Sequence, residues 1–367
     1  MSGGAPPSHR GAAPCPPATP GASPALLERL AEVVDLHFDP RWGAPFWLEV
    51  AGGLDFDPRR GVRELHDLDR LPPVPLEQLA RRPVTHFLPR RYHAHRAGLV
   101  TSETGGTTGA PRRTVFLRDE FEEAFVEPFV RAALRVGFPV GLDWLYVGPG
   151  GPHVIGKAAR ACARALGSMD PFTVDFDPRW ARRLPADSLA RRRYLDHVLD
   201  QALAVLGSQE IGVLFATPPV LEALAGRMQV ACRERIRGIH LGGMAVSPEF
   251  RARLAEWFPR AVSLAGYGNS LAGMCPELAP ADGRPPEYFP FGTRLVLGVE
   301  ASEPGRRGRV FFRRIDRSCL LPRVLERDEA ELVGPPGGAG EAGFTLPGVR
   351  DPRPPERLAA TLGAGLY

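Results

Sequence analysis

The sequence predicts an α/β fold in which helices cover a sheet, and three observations support this. Short apolar runs at Trp144–Val147, Gly212–Ala216, Ile236–Leu241, Val262–Ala265 and Val310–Phe312 have the length and composition of buried strands. Helical patterns at 119–136, 156–167, 189–206, 218–228 and 248–258 lie between them. The alternation implies parallel or mixed sheets, because each helix between strands must bury its apolar stripe on a sheet face. No period of about 20–50 residues recurs, which excludes a solenoid.

Residues 1–22, rich in Gly, Ala, Pro and Ser, have too little apolar surface to order themselves and read as a disordered tail. Ser23 as N-cap and Pro24 at the first helical position open a helix with Leu27, Leu30, Val33 and Val34 on one stripe. The core is expected over 23–334. Residues 335–367 read as a Gly/Pro-rich tail with a short helical piece at 355–362 and no second domain.

With 367 residues, 44% hydrophobic and 24% charged, the chain has the composition of a globular protein with ample core. A net charge of +4, with basic and acidic residues intermixed, argues against a nucleic-acid partner. The cysteines form no C-x-x-C pair, so a disulfide framework or a cysteine metal cluster is not expected. No apolar run approaches the ~20 residues of a membrane span, and the first residues lack the basic and apolar regions of a signal peptide. A cytoplasmic protein without membrane attachment is therefore expected. Lys157 is the only lysine among the 46 Lys and Arg residues, so any lysine chemistry must use it.

Two glycine-rich stretches point to anion chemistry. In Thr104-Gly105-Gly106-Thr107-Thr108-Gly109-Ala110-Pro111-Arg112 the glycines let backbone N–H groups turn inward. The threonines add hydroxyl donors, and Arg112 adds a bidentate cation. Such a loop suits a polyphosphate; a plain surface turn is the alternative. Neither the Walker A spacing nor the dinucleotide fingerprint is present. In the second stretch, Gly148-Pro-Gly-Gly-Pro-His153-Val-Ile-Gly156-Lys157, a turn after a strand opens a helix whose N-terminus faces an anion, with His153 and Lys157 nearby.

Thr104–Arg112 resembles the phosphate-binding motif T-S-G-T-T-G-x-P-K of the adenylate-forming (AMP-binding) enzymes. Asp67-Leu-Asp-Arg-Leu-Pro72 with Leu76–Leu79 resembles the lead-in of their phenylacetate–CoA ligase branch, and Phe215–Leu224 resembles the segment before the acyl pocket. Gly242-Gly243-Met244-Ala-Val-Ser247-Pro248-Glu249 resembles G-G-E-x-L-S-P-E, and Tyr267-Gly268-Asn269-Ser270 resembles Y-G-x-T-E. The resemblance covers roughly residues 60–330 and implies the N-terminal core of that family, with mixed and parallel sheets, lacking the mobile C-terminal domain and its lysine.

The resemblance further implies ATP and Mg2+ as cofactors and a small, aromatic-type carboxylic acid as substrate. The acyl-AMP formed would pass to CoA, a carrier protein or an amine. It assigns the loop, Thr104 and Thr108 among its residues, to the phosphates, the Gly242–Gly243 turn to adenine, Tyr267 and Gly268 to the floor beside the nucleotide, and Ser270 to the α-phosphate. The ribose falls to Asp316 or Asp328, with spacing favouring Asp328, and His153 to the carboxylate. Leu271 stands where the family has a magnesium-holding glutamate, and Glu277 would substitute if the loop folds back. A degenerate relative that binds nucleotide or acyl ligand as a regulatory subunit is the alternative.

Overall fold

The computed structural model describes residues 23–105, 110–185, 187–279, 283–301, 303, 305–336 and 343–355. Its strands in chain order are β1 (Leu99–Glu103), β2 (Arg113–Leu117), β3 (Asp143–Gly148), β4 (Phe172–Asp175), β5 (Ile211–Ala216), β6 (Gly238–Leu241), β7 (Val262–Asn269) and β8 (Gly273–Pro276). They are followed by β9 (Glu287–Tyr288), β10 (Leu295–Glu300), β11 (Gly308–Ile315), β12 (Leu320–Val333) and β13 (Gly348–Arg353). The central sheet has the order β4-β3-β5-β6-β7-β8, parallel except for the antiparallel β7–β8 pair. An antiparallel sheet of order β10-β11-β12-β13-β9 and the separate hairpin β1–β2 complete the strands.

Helices cover the central sheet, so the α/β expectation holds, and each of its parallel strands that the apolar runs marked is present. The 24–37 helix begins as expected, with the Ser23 side chain accepting from the Leu26 N–H and Pro24 in the first turn; Leu26, Leu30, Val33 and Val34 are its buried stripe. The 119–136 pattern is one continuous helical run with a π-helical turn at Glu122–Val126 between α-helical pieces. One core fills the face lined by the helices Pro24–His37, Leu189–Ser208 and Pro218–Ala225 and extends to the antiparallel sheet. The other packs Phe116 of β2 with Phe121, Phe125 and Phe129 and with the helix Val154–Ala165. Among the described residues no helix is long and apolar enough to cross a membrane.

The antiparallel sheet departs most from the sequence expectation. Gly348–Arg353, read as part of a tail, pairs with β12 on one side and β9 on the other, and Val349 is fully buried. Its burial does not alternate: Gly348, Val349 and Pro352 are buried, Arg350 and Asp351 are half-buried, and Arg350 pairs with Glu287 and Glu331. A short strand of that composition has no apolar run to reveal it. Residues 1–22 and 356–367 lie outside the described residues.

A buried ionic group joins the parts. The Asp316 carboxylate, fully buried at the β11–β12 turn, accepts from Arg294 Nε and Nη2 at 3.0 and 2.6 Å and from Arg314 Nε at 2.6 Å. Arg314 donates its remaining N–H groups to the Thr114 hydroxyl and Leu271 carbonyl (3.0 and 3.1 Å) and to the Val115 carbonyl and Ser318 hydroxyl (2.7 and 3.1 Å). Arg294 Nη1 reaches the Ala272 carbonyl at 2.6 Å, and the Arg314 guanidinium lies 3.8 Å from the Phe116 ring centroid. Although burial alone would raise its pKa, the two guanidiniums hold the Asp316 carboxyl down at about 2. Removing one partner of such a group leaves a buried charge uncompensated. Asp316→Asn is expected to lower unfolding free energy by about 3–5 kcal/mol in urea denaturation, far beyond an exposed Asp→Asn control such as Asp55→Asn; a loss below ~1 kcal/mol would refute this account.

Candidate active site

The carboxyl ends of the parallel strands lie on one side of the sheet, because Val147, Ala216, Leu241 and Ala265 are successive register partners. The motif turns leave from that edge, at Gly148–His153 after β3, Gly242–Gly243 after β6 and Tyr267–Ser270 at the end of β7. In open α/β sheets, ligands bind in the crevice outside this edge.

The phosphate-type loop rises from the tip of the β1–β2 hairpin. Its neck is closed by two hydrogen bonds, the Thr104 N–H to the Arg112 carbonyl and the Arg112 N–H to the Thr104 hydroxyl, both 3.0 Å. Gly105 continues from the neck; Gly106, Thr107, Thr108 and Gly109 lie outside the described residues. The hairpin is fixed against the β7–β8 turn by the Ser102 hydroxyl, which donates to the Ser270 carbonyl at 2.5 Å, and by Arg314, which bonds Thr114, Val115 and Leu271 together.

At the β7–β8 turn Asn269 accepts from the Leu271 and Ala272 N–H groups at 2.7 and 2.9 Å. Gly268 is required here: its φ is +157°, and a Cβ would lie 2.0 Å from the Gly273 carbonyl oxygen. Leu271 is buried in the core, so the residue in the glutamate position has no access to an ion. Glu277 stands apart from the loop, because β8 runs back along β7 and sets it beside Ala265, where its carboxylate pairs with Arg251. Burial raises its pKa, and Arg251 opposes the shift. Among the described residues no group of three or more His, Cys, Asp or Glu side chains is placed to hold a metal ion.

Of the two ribose candidates, Asp316 is committed to the buried ionic group, whereas Asp328 sits beside Tyr267. A bulge delivers it there: Glu326, Arg327 and Asp328 of β12 occupy the interval opposite the single residue Val310, between the pairs Phe311–Leu325 and Arg309–Glu329. The Arg309 Nε donates to the Glu326 carbonyl at 2.6 Å within the bulge. The Tyr267 hydroxyl is buried and falls short of a hydrogen bond, leaving a polar atom without a partner beside the Asp328 carboxyl. Burial raises the pKa of Tyr267, and the neighbouring carboxylates add to it; burial also raises that of Asp328.

Sequence reasoning passed over two members of this cluster. The Asn269 amide donates to the Glu326 carboxyl, and burial followed by the charge of Asp328 pushes the Glu326 pKa up to about 7, with Arg112 pulling the other way. Asn269 was visible inside the Tyr267–Ser270 motif. Glu326 gave no signal within the charged run Glu-Arg-Asp-Glu.

On the β3 side, Gly150 lets the turn pass Asp175, whose carboxylate oxygen would lie 2.4 Å from a Cβ at that position. The turn delivers His153 as the N-cap residue of the Val154–Ala165 helix, 6% exposed and bridged to Glu103 of β1. Burial lowers the His153 pKa, the Arg179 charge adds to the shift, and Glu103 and Asp177 oppose it. Lys157, one helical turn on, donates to the Thr101 carbonyl and hydroxyl at 2.6 and 2.8 Å, and desolvation lowers its pKa. It anchors β1 rather than pointing freely into the crevice. Gly243 has φ +79° and turns the chain out of β6, while Gly242 has the Phe215 ring 3.2 Å from where a Cβ would stand. The structure thus brings Thr104, Gly105, Arg112, Gly242, Gly243, Tyr267, Gly268, Ser270, Asp328 and His153 to one edge and leaves Glu277 outside.

No protein-family model matches the chain, and no curated protein matches it. Solved structures do. A 2-hydroxyisobutyryl-CoA ligase in complex with 2-HIB-AMP and CoA, in the thioesterification state, aligns with a TM-score of 0.62 over 90% of this chain and 66% of that one, at 17% identity. Its open conformation, also with 2-HIB-AMP and CoA, gives 0.62 over 89% and 73%, at 16% identity. The postadenylation state with 2-HIB-AMP gives 0.63 over 89% and 66%, at 16% identity. The chain shares the fold of this 2-hydroxyisobutyryl-CoA ligase over most of its own length and spans about two thirds of that ligase's length in two of these structures.

The bulge carboxyls make a pH test possible. The folded protein holds the Glu326 proton up to about pH 7, whereas an unperturbed glutamate releases it near 4.5. The stability tied to that proton is therefore whole below pH 4.5 and lost as pH rises towards 7. Glu326→Gln keeps a carbonyl for Asn269 and removes the titration. It is expected to melt at least about 2 °C above wild type at pH 8 and level with it at pH 4.5; a gap equal at both pH values would show that Glu326 titrates normally.

Proposed function

We propose that this chain activates a small carboxylic acid with ATP, forming an acyl adenylate and pyrophosphate, and passes the acyl group to a thiol, CoA or a carrier protein, or to an amine. The observation supporting this reading most directly is the convergence at one sheet edge of the Thr104–Arg112 loop neck, the unpartnered Tyr267 hydroxyl and the Asp328 carboxyl. On this reading the polyphosphate, the aromatic floor and the ribose-type acceptor share that edge, as the sequence resemblance implies.

Adenylation is mainly a matter of positioning two anions and offsetting the charge that develops between them. Arg112 and the loop N–H groups supply positive charge at the phosphates, and the Asp328 carboxyl can accept from vicinal hydroxyls. His153, held mostly neutral by its burial, can donate one ring N–H to the acid's carboxylate from the start of its helix. Magnesium belongs to this reading only as the counter-ion of the nucleotide, held through its phosphates, since Leu271 and Glu277 offer it no site. An aromatic acid is the substrate class that the sequence resemblance favours.

A second reading, a nucleotide- or acyl-binding subunit without catalysis, is favoured by one observation: the motif glutamate position is occupied by core-buried Leu271.

The test is acid-dependent ATP–pyrophosphate exchange across a panel of aryl, amino and short aliphatic acids. Thr108→Ala and Arg112→Ala are expected to reduce exchange by about 100-fold each, and His153→Ala to raise the acid KM by about 10-fold. Nucleotide binding without exchange for any acid, in folded protein, would select the second reading.

A further inference from the structure

Glu103 is the last residue of β1 and directly precedes the loop. Its carboxylate, 9% exposed as a residue, accepts from Arg113 Nε at 2.8 Å and from Arg179 Nη1 at 2.7 Å. Arg113 is its register partner across the hairpin, the first residue after the loop. Arg179 comes from the helix Pro178–Arg183 beyond β4, where the Asp177 carboxylate also holds it at 3.3 Å. The Glu103 backbone bridges His153 as well. The Glu103 carboxylate therefore ties together both ends of the loop and the helix beside it, and the Glu103 backbone ties in the turn that bears His153. Exposed ion pairs contribute little, but this one has a mostly buried acceptor shared by two guanidiniums, and it sits where the chain must converge for the loop to exist.

We propose that Glu103 is a positioning residue for the neck formed by Thr104 and Arg112: by holding Arg113 across the neck and Arg179 from the adjacent helix, it sets the separation and direction of the two neck residues and so the placement of Arg112, which the nucleotide reading sets against phosphate. The ligand part of this inference rests on the nucleotide reading above. Glu103 itself carries the same sign of charge as phosphate and does not touch the ligand; its effect is transmitted through the two arginines and the neck hydrogen bonds.

Residue-resolved amide exchange of the ligand-free protein tests the positioning role, and ATP and inorganic pyrophosphate titrations test its consequence. In Glu103→Gln the Thr104 and Arg112 amides, both hydrogen-bonded in the neck, are expected to exchange at least about 10-fold faster, with core amides and melting temperature unchanged. ATP and pyrophosphate Kd are expected to rise about 10-fold, and wherever exchange activity is measurable KM should rise with kcat little changed. Arg179→Gln should show a weaker version of the same pattern, and the double variant should be no worse than Glu103→Gln alone, as expected for one shared interaction. If Glu103→Gln lowers stability, Arg179→Gln, altered at a more exposed partner, serves as the deciding variant. Neck amides that exchange at wild-type rates in the folded variant, or additive losses in the double variant, would overturn the proposal. Faster neck exchange in a protein that binds neither ATP nor pyrophosphate would leave the positioning role standing and bring down the nucleotide reading instead.

Discussion

The site depends on the burial of Asp316 between Arg294 and Arg314. Taking three charges out of water is costly, and the cost is offset only when every donor and acceptor is satisfied. Arg314 meets that condition by reaching, beyond Asp316, the hairpin that bears the loop, the turn after β7 and the β11–β12 turn. Three segments far apart in sequence therefore meet at one guanidinium. If any of them shifts, a buried N–H loses its partner, so the relative placement of the hairpin, the β7–β8 turn and the antiparallel sheet is held by the desolvation penalty as much as by apolar packing.

Around that anchor, local backbone devices aim the functional groups. The parallel strands end together and present their turns at one edge. Gly150 and Gly268 allow approaches that any Cβ would block, and the bulge in β12 turns Glu326 and Asp328 out of the ladder towards Tyr267 and Asn269. That edge is correspondingly uneven in charge. The loop side carries Arg112, with Arg113 and Arg179 paired to Glu103, while the bulge side carries two carboxyls whose ionisation is suppressed by burial and by each other.

Much of this was legible in the sequence, for physical reasons that also set the limit. The strands β3 and β5 are buried on both faces and so read as almost unbroken apolar runs, β6 and β7 retain shorter apolar stretches, and Ser23-Pro24 carries its helix start in two residues. The glycine-rich turns announce themselves because few other residues tolerate those dihedrals. The sheet β9–β13 was mostly hidden, since strands such as Gly-Val-Arg-Asp-Pro-Arg carry neither an apolar run nor a regular alternation and depend on pairing from distant segments. Ion pairing has no periodicity: nothing local distinguishes Asp316, sealed in the core, from Asp328, which faces the site. Glu326 was hidden for the related reason that a bulge depends on strand register, and register belongs to two segments at once.

The neck of the phosphate-type loop has a thermodynamic consequence. Thr104 and Arg112 are already joined by one backbone hydrogen bond and one from the Arg112 N–H to the Thr104 hydroxyl, so the entropy of bringing these two residues together is spent when the protein folds. Under the proposed nucleotide reading, that prior closure would let more of the interaction energy appear as affinity, as expected for a preorganised receptor.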